Sequence, residues 1–165
     1  MKKITAVYPG TFDPITNGHL DIIERACELF EKVIVSIAVN PDKRPLFTEK
    51  ERIDMIKKVT AHLNNVEVDS FRGLLVGNAE KRNAKVIIRG LRAISDFEYE
   101  FQMSLTNKKL NPDINTVFLM PNEKYSFLSS SLVRELASYD ANVKEFLPEY
   151  VLNKIKAKFR KSKII

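Results

Sequence analysis

Cysteine is almost absent: Cys27 is the one thiol in 165 residues, so an internal disulfide and a cysteine-built zinc cage are both excluded by count. Two phosphate-binding signatures are missing as well. The chain has no G-x-x-x-x-G-K-[ST] and no G-x-G-x-x-G, which leaves neither a P-loop ATPase nor a dinucleotide dehydrogenase supported. No apolar run approaches the roughly 20 residues needed to cross a bilayer. Lys2 and Lys3 precede only a few apolar residues before Tyr8-Pro9-Gly10, so a cytoplasmic protein without a membrane partner is expected. Internal repeats and low-complexity linkers are also missing, and one domain over 1–165 is the expectation.

Charge is present, but unevenly. The formal net charge is +6, and Lys154, Lys156, Lys158, Arg160, Lys161 and Lys163 all lie in the last twelve residues, which contain no acid. The other 21 Lys and Arg residues balance the 21 Asp and Glu residues. The basic excess therefore belongs to a tail from about residue 154, read as a frayed, solvated helix end, and a nucleic-acid partner is not expected of the neutral body.

With 44% hydrophobic residues the chain can bury a core. Five apolar stretches, Ile4–Tyr8, Val33–Val39, Val66–Val68, Val86–Ile88 and Thr116–Met120, read as strands separated by helical segments. The second and fourth are β-branched and nearly continuous, as parallel strands covered on both faces are. Thr48 and Glu51 form a capping box before Ile53 and Ile56. Ser129-Ser130-Ser131 starts another helix, and Pro148 opens a last one in its first turn. Cys27 falls on the apolar face of Ile22, Ile23, Ala26 and Phe30 and reads as packing. His62 reads as a surface residue near a helix end. Phe97, Phe101 and Leu105 share a face at i, i+4, i+8 and, with Tyr99, read as core and subunit contact. The fold class is α/β: a five-stranded parallel sheet with helices on both faces.

Ligands of such sheets bind outside the carboxyl ends of the strands. Most of the unusual chemistry follows the strands here. After the first comes Tyr8-Pro9-Gly10-Thr11-Phe12-Asp13-Pro14-Ile15-Thr16-Asn17-Gly18-His19, a strand, a turn and a helix start whose N–H groups attract an anion, with Gly18 allowing close approach and His19 at the helix opening. Lys43 follows the second strand and Arg89-Gly90-Leu91-Arg92 the fourth, so three permanent cations converge on the edge that carries His19. The serine run adds hydroxyls and a second helix start. Blander readings remain: Arg89 and Arg92 in ion pairs with acids such as Asp96 or Glu98, Lys43 in a solvated turn, and the serines as an ordinary cap.

Thr16-Asn17-Gly18-His19 resembles the (H/T)xGH signature of the nucleotidylyltransferase superfamily, and Ser129-Ser130-Ser131 with Arg134 resembles its second signature. Residues 8–19, Ile88-Arg89-Gly90-Leu91-Arg92, Asp96-Phe97-Glu98-Tyr99-Glu100 and Ser126-Phe127-Leu128-Ser129-Ser130-Ser131 together are similar to the phosphopantetheine adenylyltransferase family. That resemblance implies a Rossmann-like nucleotidyltransferase that reversibly transfers AMP from ATP to 4′-phosphopantetheine in coenzyme A biosynthesis, releasing pyrophosphate. It implies that His19 hydrogen-bonds the α-phosphoryl oxygens, that Thr11 and Lys43 hold the incoming phosphate, and that Arg92, Ser130 and Ser131 grip the pyrophosphate. It puts Arg89 and Leu75 on the pantetheine side, and Phe12, Gly90, Leu91, Glu100 and Tyr125 to Ser131 on the ATP side. It also implies Mg2+ held mainly by ATP phosphates and water, and a homohexamer. Related enzymes acting on another phosphate, such as nicotinamide mononucleotide or glycerol phosphate, share the ATP-side motifs.

Overall fold

The computed structural model describes residues 4–42, 44–92 and 94–162, without the side chains of 94–96 and 161–162. Lys43, Lys2, Lys3 and Lys163 lie outside the described residues, as does the Asp96 side chain. Five strands, β1 (Thr5–Gly10), β2 (Lys32–Ala38), β3 (Val66–Phe71), β4 (Val86–Gly90) and β5 (Asn115–Leu119), form one parallel sheet in the order β3-β2-β1-β4-β5. The helices are α1 (Asn17–Leu29), α2 (Glu49–Val59), α3 (Leu75–Lys81), α4 (Ile94–Leu110), α5 (Ser130–Ser138) and α6 (Glu149–Ser162). The chain winds outward from β1 to β3, then returns to lay β4 on the other side of β1. The strand order therefore reverses between β1 and β4, the place where open sheets bind ligands.

Strand residues alternate between two cores, because successive side chains leave opposite faces of a strand. Ala6, Tyr8, Val33 and Val35 join Ile22, Ile23, Ile56, Val133 and Ile155 from α1, α2, α5 and α6 on one face. Val7, Ile34 and Ile87 join Val76 and Ala79 of α3 on the other. Both layers of helix expected from the continuous β-branched runs are present.

β1 runs two residues further than the apolar stretch announces. Its ladder with β2 continues through Pro9↔Ser36 and Gly10↔Ile37, whereas its ladder with β4 holds only Ala6↔Val86 and Val7↔Ile87. Pro9 has no N–H to donate, so pairing on the β4 side ends there. β4 itself continues against β5 to Gly90↔Leu119. The carboxyl ends of β1 and β4 thus lose their mutual hydrogen bonds over the last residues of each strand.

Helix starts follow the sequence closely. Thr48 Oγ1 accepts from Glu51 N at 3.2 Å while Glu51 accepts from Thr48 N at 2.7 Å, completing the capping box. Ser129 Oγ accepts from Leu132 N at 3.1 Å. Pro148 sits one position earlier than expected: the helix begins at Glu149, and the Pro148 carbonyl accepts Leu152 N at 2.9 Å. Cys27 is half-buried against the core, and burial pushes its thiol up to about 11. His62 is exposed and pairs with Glu24 at 3.0 Å.

Two expectations need correction. The basic segment is not a frayed end as far as Ser162. It is the second half of α6, with Ile155 fully buried, Phe159 packed on the core and Lys158 Nζ 2.8 Å from Glu51. Phe97, Tyr99 and Phe101 are not core: they are 45%, 63% and 47% exposed, and Leu105 is 56% exposed. α4 packs on the edge strand β5, where Phe97 approaches Phe118, and only part of its circumference meets the sheet.

Ile87 is wholly buried between β1 and α3. Ile87→Ala is expected to cost about 2–5 kcal/mol of unfolding free energy, read as a lower denaturation midpoint with an unchanged slope in urea.

Candidate active site

The gap between β1 and β4 opens into a cleft of about 1400 Å³ at the carboxyl ends of the strands. Its floor is Tyr8, Pro9 and Gly10 of β1, Ala38 of β2, Phe71 of β3, and Arg89 and Gly90 of β4. Two helix starts reach it, α1 through Thr16, Gly18 and His19 and α5 through Ser129, Ser130 and Ser131. The first turn of a helix has N–H groups without intrahelical acceptors, so each start favours an anion.

His19 occupies the third position of α1, where a capping box ordinarily carries Glu or Gln. The Thr16 backbone N–H donates to His19 Nδ1 at 3.1 Å, Thr16 Oγ1 lies 3.0 Å from the same nitrogen, and Thr16 Oγ1 accepts from His19 N at 3.4 Å. A backbone amide can only donate. Nδ1 is therefore the acceptor nitrogen, and the proton of the neutral ring resides on Nε2. Burial, and then the nearby Arg92 charge, bring the His19 pKa down to about 4. Phe12 contributes to that burial, its ring meeting the imidazole edge-on with centroids 5.1 Å apart. At neutral pH His19 is thus an uncharged N–H donor.

Phe12 is 2% exposed and has a left-handed backbone, φ 47°. A Cβ on Gly10 would come within 2.8 Å of its ring, so glycine at position 10 is what admits this conformation of the turn. Gly18 has a similar reason: a Cβ there would meet Tyr125 Cβ at 3.3 Å, and glycine lets the short 3-10 helix Glu123–Tyr125 close over the start of α1.

Among the described residues, four arginines line the cleft, Arg44, Arg89, Arg92 and Arg134, against two carboxylates, Asp13 and Glu100. Both carboxylates are engaged. Arg89 Nε donates to Glu100 Oε2 at 2.6 Å, its Nη2 donates to Glu100 Oε1, and its Nη1 makes a long contact, 3.5 Å, with the Pro9 carbonyl. Asp13 lies 3.4 Å from Arg134 and accepts from the backbone N–H groups of Leu46 and Phe47, each at 2.9 Å. Arg92 is exposed and donates to the Leu128 carbonyl at 3.3 Å. Among the described residues, no three His, Cys, Asp or Glu side chains gather to hold a metal ion.

Fifteen of the residues singled out from the sequence line this one cleft: Thr11, Phe12, His19, Leu75, Arg89, Gly90, Arg92, Glu100, Tyr125, Ser126, Phe127, Leu128, Ser129, Ser130 and Ser131. Leu91 does not; it continues the sheet, donating its N–H to the Leu119 carbonyl at 3.1 Å. The ion-pair reading of Arg89 holds, with Glu100 as the partner, so the residue placed on the pantetheine side grips one placed on the ATP side. The serine hydroxyls are also occupied: Ser129 caps α5, Ser130 Oγ donates to the Pro14 carbonyl at 2.7 Å, and Ser131 Oγ accepts from Arg134 at 3.2 Å. What this segment presents to an anion is chiefly its helix start.

Tyr99, Met103, Thr106, Asn107 and Leu110 of α4 also face the cleft, and the sequence reading did not assign them there. Their i, i+4, i+7, i+8, i+11 spacing is a second stripe on the same helix, legible once two faces are sought. Arg44 was signalled only by following β2.

The His19 geometry predicts an Nε2–H tautomer at pH 7 and protonation only near pH 4, both readable by 15N NMR of the ring. Its folded pKa lies below the ordinary value of about 6.5, so the unfolded chain binds the proton more readily. The associated stability is complete above about pH 6.5 and is lost as pH falls toward 4. A midpoint near 6.5, or a proton on Nδ1, would contradict the assignment.

Residues 7–136 match the cytidylyltransferase-like family model. The chain is 60% identical over 156 residues to the phosphopantetheine adenylyltransferase of Carboxydothermus hydrogenoformans, covering 94% of this chain and 96% of that one. It is 57% identical to the protein of the same name from Caldanaerobacter subterraneus, covering 95% and 98%. A Vibrio parahaemolyticus structure solved as a candidate nicotinate-nucleotide adenylyltransferase shares the fold, with a TM-score of 0.69 at 17% identity over 93% of this chain and 99% of that one. Identity of this degree across nearly the full length of both partners makes the chain a member of the phosphopantetheine adenylyltransferase family.

Proposed function

We propose that the chain transfers AMP from ATP to 4′-phosphopantetheine, reversibly, giving dephospho-coenzyme A and pyrophosphate. The observation that carries this reading is His19: a neutral, positioned Nε2–H donor at a helix start, flanked by arginines, in a cleft sized for two ligands. An oxygen of the acceptor phosphate attacks the α-phosphorus, the new P–O bond forms, and the bond to the bridging oxygen of pyrophosphate breaks. Both reacting groups are already ionised, so no side chain has to remove a proton. Positioning and charge stabilisation suffice. His19 meets the charge growing on the α-phosphoryl oxygens, and a neutral imidazole keeps its proton there while an imidazolium would hold the ground-state anion as well.

The nucleotide takes the side of Phe12, His19, Gly90, Arg92 and Tyr125 to Ser131, with its pyrophosphate end toward Arg92 and the starts of α1 and α5. The acceptor takes the side of Thr11, Leu75 and Arg89, its pantetheine arm along Leu74, Leu75 and Met103, and Lys43, outside the described residues, is assigned to it by the resemblance alone. Glu100, on the nucleotide side by resemblance, also holds Arg89 in the orientation it has in the cleft. Mg2+ would be held by the ATP phosphates and water, as the resemblance implies. The two cleft carboxylates are committed to Arg89 and to Arg134 with two backbone amides, which supports an ion carried by phosphate and water. Bound there it neutralises phosphate charge. The enzyme is a cytoplasmic homohexamer in this reading, with no nucleic-acid or membrane partner. Among the described residues no helix is long and apolar enough to cross a membrane, and the exposed Phe97, Phe101 and Leu105 supply an apolar stripe for subunit contact.

The deciding experiment is pyrophosphate release from ATP with 4′-phosphopantetheine, compared with nicotinamide mononucleotide and glycerol phosphate. Only the first is expected to support turnover. His19→Ala should retain the fold and lower kcat by about 100-fold or more, the usual loss for one preorganised donor; near-normal turnover would remove its role. Phe101→Arg with Leu105→Arg should break the hexamer into smaller species by light scattering, and an unaltered mass would refute the α4 contact.

A further inference from the structure

Asp13 is 3% exposed and does not present its carboxylate to the cleft solvent. Its Oδ2 accepts the N–H of Leu46 and its Oδ1 that of Phe47, both at 2.9 Å, across 33 and 34 residues of sequence. Arg134 of α5 closes the other side, donating to the Asp13 carbonyl and lying 3.4 Å from Oδ2. The segment so gripped is the exit from β2: Arg44 and Pro45 line the cleft, Phe47 is 1% exposed, and Thr48 begins α2. A second tie runs back the other way, because Arg52 of α2, itself 3% exposed, donates to the Thr11 carbonyl at 2.7 Å. Backbone-to-carboxylate bonds from two consecutive amides fix both the position and the tilt of a loop, and bonds to a charged acceptor are stronger than neutral ones.

We propose that Asp13 is a positioning residue for the acceptor half of the site: it clamps the 44–47 segment to the turn after β1, so that Arg44, which lines the cleft there, is presented at a set distance from His19. This rests on the adenylyl-transfer reading. Asp13 itself touches no substrate. The turn after β1 carries Thr11 and Phe12 and leads to His19, the loop after β2 carries Arg44, and the Asp13 carboxylate is a direct polar link between them.

Asp13→Asn retains the shape and the backbone carbonyl used by Arg134, but it removes the charge and replaces one acceptor oxygen with a donor. Hydrogen exchange at the Leu46 and Phe47 amides should accelerate about tenfold or more, while Leu20 of α1, bonded to the Thr16 carbonyl, keeps its protection. The KM for 4′-phosphopantetheine should rise about tenfold or more, with the KM for ATP within about twofold of wild type. A merely structural aspartate would lower the melting temperature and weaken both substrates alike. Unchanged Leu46 and Phe47 protection, or equal rises in both KM values, overturns the proposal. The exchange measurement needs no turnover, so it stands apart from failure of the reaction assignment itself. Should the variant not fold, unmodified protein decides: 4′-phosphopantetheine alone should slow exchange at Leu46 and Phe47 and a non-hydrolysable ATP analogue should not, and the reverse pattern refutes the clamp.

Discussion

A proline in the middle strand of a sheet cannot complete the ladder on both sides, and Pro9 is such a residue. Its pairing with β2 survives, its pairing with β4 does not, and its carbonyl is left to the long contact with Arg89. Because β1 and β4 are also the strands between which the winding direction reverses, the broken ladder falls where the crossover connections diverge. The cleft is the result, and the polar groups of β1, β4, α1 and α5 face one another across it.

Electrostatics then sort the cleft. Among the described residues arginines outnumber carboxylates, and each of those carboxylates is tied to an arginine, so the space prefers anions. Among these cations His19 stays uncharged, since burial and Arg92 both oppose a second positive charge. Neutrality matters to the chemistry. A donor without full charge interacts weakly with a resting phosphate and more strongly as negative charge accumulates in transfer.

α4 serves two directions at once. One stripe, through Tyr99, Met103 and Leu110, faces the ligand space, and another, through Phe97, Phe101 and Leu105, faces outward. A helix that is apolar on two sides belongs in a core or between bodies. In the single chain α4 thus lines the cleft with one stripe and leaves the other exposed.

Much of this was legible in the chain. Five apolar stretches announced the strands and the β-branched second and fourth announced a parallel sheet, Thr48, Ser129 and the 8–19 segment announced helix starts, and the position of His19, Arg89 and Arg92 just after strands put them on one sheet edge. These are local matters of side-chain branching, capping and punctuation, and sequence neighbours decide them. What required the folded structure were pairings and exposures that no local pattern fixes: Arg89 with Glu100, Asp13 with the amides of Leu46 and Phe47, the proton of His19 on Nε2, and the exposure of α4. Each depends on which groups the sheet order brings within hydrogen-bond reach and on how much water is excluded there, and neither quantity exists until the strands have taken their places.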